Sequence, residues 1–111
     1  MCSHAEGSHC KATSGNSHAE GDGTIATSGP QHVQGQYNIE DTDGVYAHIV
    51  GNGLYNSNRS NAHTLDWNGN AWYAGTVEGI GMIIKSSTPN SVKRFLITVD
   101  DSGAISATEI T

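Results

Sequence analysis

What most constrains the fold of this 111-residue chain is a fourteen-residue repeat at its start. Ser3-His4-Ala5-Glu6-Gly7 returns as Ser17-His18-Ala19-Glu20-Gly21 and, weakened, as Gln31-His32-Val33-Gln34-Gly35. The other half of the unit repeats too: Ala12-Thr13-Ser14-Gly15 matches Ala26-Thr27-Ser28-Gly29. After a two-residue slip comes Ala47-His48-Ile49-Val50-Gly51, and Ala62-His63-Thr64-Leu65 reads as one more degenerate unit. Five of the six histidines, at 4, 18, 32, 48 and 63, therefore share one phase. The 14 glycines and the lack of a 3.6-residue period exclude helices. Two short alternating stretches joined by glycine bends make one coil of a β-solenoid, and coils stack at the strand spacing of roughly 4.7–4.9 Å.

Alternation gives each strand two faces. Ala5, Ala19, Val33, Ile49 and Thr64 form a small, apolar row suited to a narrow interior. His4 with Glu6, His18 with Glu20, and His32 with Gln34 form the opposite row. That row turns apolar down the chain, as His48 beside Val50 and His63 beside Leu65, which predicts increasing burial toward the C-terminus. Gly7, Gly21, Gly35 and Gly51 mark one bend, where a positive φ is expected; Gly15 and Gly29 mark the other.

Residues 1–44 hold only three Ile, Leu or Val (Ile25, Val33 and Ile39), too few for a core of their own, whereas residues 77–110 hold twelve large aliphatic, Met or Phe side chains. Asn68-Gly69 between Leu65-Asp66-Trp67 and Asn70-Ala71-Trp72 is a two-residue hairpin signal. Three alternating stretches follow, near 79–86, 92–99 and 104–109, with a break at Pro89-Asn90 and a turn at Asp100-Asp101-Ser102-Gly103. Lys93, Phe95, Ile97 and Val99 form the expected core face of the middle strand. Three short strands are marginal alone, and three copies sharing a core would suffice. The expected organisation is all-β: a roll over residues 1–65, then a hairpin and antiparallel trimerisation module over 66–111.

The unit Ser-His-Ala-Glu-Gly, followed at fixed offsets by Cys10 or Thr24, then Ala and Gly, resembles the head repeat of YadA-type trimeric adhesins, with His and Glu in place of that family's Val and Ile. The resemblance implies a left-handed parallel β-roll in an obligate homotrimer. It makes His18, Glu20, His32, His48 and Val50 candidates for the trimer interface, joined by Phe95 and Ile97 from the C-terminal core face. The segment from Arg59 through Trp67-Asn68-Gly69-Asn70-Ala71-Trp72-Tyr73 to Gly75 is similar to tail fibre proteins of phages and prophages of Gram-positive hosts. So is the ending from Lys85 through Ile97-Thr98-Val99-Asp100-Asp101-Ser102-Gly103 to Glu109. The implied role is a non-catalytic structural and adhesive module of a trimeric virion fibre that engages a host surface. Two alternatives are the head of a bacterial trimeric adhesin at the cell surface and a fragment of a glycan-cleaving tail enzyme. Met1 leads straight into polar sequence, as expected of an internal fragment with an added start, while Thr108-Glu109-Ile110-Thr111 reads as a natural chain end.

The net charge of −6 argues against nucleic acid as a partner, and no run approaches the roughly 18–20 apolar residues of a membrane span. There is no GxSxG, HExxH or P-loop motif, and of the aspartates that could furnish a glycosidase pair, Asp41, Asp43, Asp66, Asp100 and Asp101, the last two fall in turn sequence, so no enzyme is expected. His and Glu at i and i+2 point the same way, so stacking brings His4, Glu6, His18 and Glu20 into one patch. That patch is read as hydrogen-bonded His–Glu pairs without a cofactor; the alternative is a transition-metal site, since imidazole and carboxylate suit zinc. Tyr46, Tyr55, Trp67, Trp72 and Tyr73 bunch within 28 residues, and Trp67 and Trp72 are read as plugging the junction of the roll and the C-terminal sheet. Where exposed, Tyr55, Trp72 and Tyr73 are candidates for stacking on a host surface glycan. Cys2 and Cys10 lie outside any CxxC or disulfide framework.

Overall fold

The computed structural model describes residues 2–111 as two compact units, one ending at Thr76 and the other running from Val77 to Thr111. The described residues are all-β, with no helix. The first unit is built on a six-stranded sheet in the order β1-β3-β5-β6-β7-β8. Its strands are β1 (His4–Ser8), β3 (His18–Asp22), β5 (His32–Gln36), β6 (Tyr46–Asn52), β7 (Asn61–Asp66) and β8 (Ala71–Tyr73). The short strands β2 (Lys11–Ala12) and β4 (Ile25–Ala26) pair in parallel on the second side of the coil. β1, β3, β5 and β6 are parallel and in register, with His4, His18, His32 and His48 on successive rungs. This is a β-solenoid of about four turns at the repeat spacing.

The inner row is the one expected. Ala19, Val33 and Ile49 are fully buried, Thr64 nearly so, and Ala26 from the second side completes the apolar core. Ala5 occupies the same row on the outermost coil, where no further coil covers it, and is exposed. The interior is otherwise polar, and most of its groups bond to backbone of the same or an adjacent coil, Gln31 Oε1 being without a partner. Asn38 shows how. No third strand follows β4, yet the buried Asn38 side chain accepts from Ile25 N–H at 2.8 Å and donates to Ile25 C=O at 3.1 Å. Its amide substitutes for the missing strand rung. Asp41 does the same for the two-residue slip between His32 and His48. Its carboxylate accepts from Gln31 Nε2, Val45 N–H and Tyr46 N–H, and its carbonyl accepts from the Thr27 and Ser28 hydroxyls. Arg59 reaches back across the coils to donate to the carbonyls of Gly23 and Asn38, with its guanidinium 5.4 Å from the Tyr37 ring centroid.

Gly7, Gly21 and Gly35 have φ of 104°, 113° and 97°, as expected for the bend. Gly51 does not have a positive φ; a Cβ there would instead press on the backbone of Gln36 and Asn38.

The segment around His63 departs from the sequence reading. Ala62-His63-Thr64-Leu65 is not a further parallel coil. The chain reverses over 53–58, where Leu54 N–H donates to Asn58 C=O and Asn58 N–H to Tyr55 C=O, and β7 runs antiparallel to β6. Thr64 still lies opposite Ile49, so the inner row survives the reversal, while His63 faces Val50 rather than His48. The hairpin to β8 is present, but its turn is longer than two residues. Leu65 pairs with Ala71, Asp66 N–H donates to Asn70 C=O, and Gly69 takes φ 87°. Asp66 organises the turn by accepting from the N–H groups of Asn68 and Asn70. These bonds hold its carboxyl below the usual carboxylate range. Both hairpin strands belong to the first sheet, and the two compact units part at 76/77.

The second unit is a three-stranded antiparallel sheet, β11-β10-β9, made of β9 (Met82–Lys85), β10 (Arg94–Val99) and β11 (Ile105–Ile110). Asn90 and Gly103 take positive φ in the two connections, at the break and the turn read from sequence. Directly paired residues share a face. Phe95 lies between Ile84 and Glu109, Ile97 between Met82 and Ala107, and Val99 opposite Ile105. This face is apolar apart from the Lys93–Glu109 ion pair at its rim, at 3.7 Å.

Candidate functional site

The repeat builds a continuous column of rings on the outer face of the first sheet. Parallel in-register pairing places each histidine one strand spacing from the next. Ring centroids are 4.8 Å apart for His4–His18, 4.7 Å for His18–His32 and 5.4 Å for His32–His48. The column continues through the chain reversal: His48–His63 is 5.8 Å, edge to face, and the Tyr73 ring stacks on His63 at 4.4 Å and 27°. His63 Nδ1–H donates to the carbonyl of Trp72, which orients the last imidazole.

A parallel row, two residues on, carries Glu6, Glu20, Gln34 and Val50. At the N-terminal end the two rows interleave. Glu6 sits between His4 and His18, with Oε2 3.6 Å from His4 Nε2 and Oε1 3.8 Å from His18 Nε2. Glu20 sits between His18 and His32, with Oε2 3.9 Å from His18 Nε2 and Oε1 3.1 Å from His32 Nε2. Only the last contact is a hydrogen bond. It holds the Glu20 carboxyl below its ordinary value. His18 Nε2 is buried and has no hydrogen-bond partner. Further along, Gln34 and Val50 remove the carboxylates. Burial, then the neighbouring His32 and His63, push the His48 pKa down, which favours its neutral form.

His18, Glu20, His32, His48 and Val50 therefore lie together on one half-buried face, as the sequence indicated. Phe95 and Ile97 share the apolar face of the second unit. The three aromatic candidates separate. Tyr55 is exposed in the reversal turn; Tyr73 caps the histidine column; Trp72, half exposed, lines a groove of about 490 Å³ with Tyr46, Asn61, Asp66 and Asn70. The pairing of Tyr73 with His63 was not legible in the sequence, because a two-residue turn would set Tyr73 opposite Thr64 and the longer turn shifts the register by one. Cys2 and Cys10 are free; Cys10 packs against the core and accepts from the Thr24 hydroxyl.

No protein-family model, no curated protein and no solved structure matches this chain.

Proposed function

We propose that the chain is a structural and adhesive module of a trimeric phage tail fibre, part of a virion appendage that engages a host cell surface without catalysis. The observation that carries this reading is the unburied apolar surface of the second unit. Met82, Ile84, Val99 and Ile105 share one sheet face with Phe95 and Ile97 and are 60%, 49%, 62% and 75% exposed. Burying a large apolar side chain is worth about 1.5–3 kcal/mol, so a lone sheet of this size forgoes most of its stabilisation. A three-fold arrangement of copies closes that face. The resemblance of the repeat to adhesin heads, and of the later segments to tail fibres, supports the same assembly. The Trp72 groove, with its aromatic wall and amide and carboxylate groups, offers the surface for a host glycan.

Light scattering on the full chain at micromolar concentration tests the assembly; a trimer mass is expected and a monomer mass refutes it. Phe95→Asp, which places a charge on the closing face, should dissociate the trimer. Incubation with host wall polysaccharide should give binding, weakened by Trp72→Ala, and no release of reducing ends.

A further inference from the structure

We propose that His18, Glu20 and His32 form a binding site for one divalent transition-metal ion, of the zinc class, that clasps the second and third coils. The three side chains offer donor atoms lying within 4.8 Å of one another. The Glu20 carboxylate spans the two imidazoles, Oε2 lying 3.9 Å from His18 Nε2 and Oε1 3.1 Å from His32 Nε2, on either side of the roughly 3.3–3.6 Å between ligand atoms of a tetrahedral ion with bonds of about 2.0–2.2 Å. His18 Nε2 supplies the second observation. It is buried, aimed at two carboxylates and too far from either to hydrogen-bond. An unpaired buried imidazole nitrogen is costly, and an ion between it and Glu20 satisfies it.

His4, Glu6 and His18 form a second set of the same residue types, but both sets draw on His18 Nε2, which can ligate only one ion. The inner set is favoured because His18, Glu20 and His32 are all half-buried, whereas His4 and Glu6 are exposed to competing water. The site does not recur further along the column, since Gln34 stands where the carboxylate would be. Two imidazoles and one carboxylate select zinc, nickel, cobalt or copper over calcium and magnesium, which require oxygen ligands. The set carries a single negative charge, so a divalent ion leaves it at +1 in a chain of net charge −6. All three ligands come from one chain, so the site is complete without a second copy. Ligation through His32 Nε2 requires the tautomer protonated at Nδ1, so the hydrogen bond to Glu20 is exchanged for the bond to the metal.

The untagged full chain, freed of metal with EDTA, is titrated with Zn²⁺ by calorimetry and with Co²⁺ by visible absorption. One ion per chain, micromolar affinity or tighter, and cobalt bands of tetrahedral type are expected. Glu20→Gln and His32→Gln should each weaken zinc binding by at least about tenfold, and Glu6→Gln should leave it within about twofold. In the unsubstituted chain, zinc should shift the imidazole proton resonances of His18 and His32 and spare His63, a readout that does not depend on any variant folding. Millimolar binding indifferent to these substitutions overturns the proposal. So does loss with Glu6→Gln but not Glu20→Gln, or a zinc response centred on His63.

Discussion

Gly21→Ala probes the stacking of the coils directly. Gly21 sits in β3 at φ 113°, and a Cβ there would overlap the carbonyl oxygen of Gly35 on the next coil. Two costs combine. An alanine held in that region of φ is strained by about 1–3 kcal/mol. The clash is with backbone, not with the end of a flexible side chain, so relief requires prising β3 from β5 where their rungs are locked by pairing of His18 with His32 and Ala19 with Val33. Overpacking of this kind adds about 1–3 kcal/mol. The combined loss is about 2–6 kcal/mol, a large part of the stability of a unit this size. Gly75→Ala is the control, since Gly75 has an ordinary φ and no atom within 4 Å of the added methyl. Gly7→Ala meets Gly21 in the same way but lies on the outermost coil, which can fray without opening the rest. Urea unfolding followed by circular dichroism should order the variants as Gly75→Ala near the parent, Gly7→Ala intermediate and Gly21→Ala lowest. A Gly21→Ala loss under about 1 kcal/mol, equal to that of Gly75→Ala, would refute the stacking argument.

Asn38→Ala should cost about 2–3 kcal/mol in the same assay, because it leaves the Ile25 N–H and C=O without the amide that closes the β2–β4 ladder. Metal-free chain in EDTA should lose stability as the pH falls below 6.5, the ordinary value from which His48 is lowered: the unfolded chain then takes up the proton more readily than the folded one. Glu20, lowered from 4.5, adds a loss of the same sign at more acid pH, as its carboxylate is protonated on passing through its folded value. Urea midpoints at about pH 7.5 and about pH 5.5 check this, and His48→Gln should flatten the difference. A chain ending at Thr76 should keep its β-sheet circular dichroism and lose trimer mass in light scattering, because the closing apolar face lies wholly in β9–β11.

Coil length, the faces of the strands and the alignment of the histidines are legible in the order of residues, because a period of two and a repeat of fourteen are local properties. In-register parallel stacking then follows, since only that register puts Ala19, Val33 and Ile49 in one row and each glycine bend over the next. Strand direction was beyond it. Alternation is unchanged when a strand is reversed, so His63-Thr64-Leu65 fits the inner row equally well antiparallel, and the turn at 53–58 decides the matter. The two-residue slip was visible, but not that Asn38 and Asp41 would use side chains where a strand is missing, because those bonds join residues on different coils. The stacking of Tyr73 on His63 and the closeness of His18, Glu20 and His32 are likewise decided in three dimensions. The order of residues states which side chains share a face; their separations to within an ångström come from the sheet that holds them.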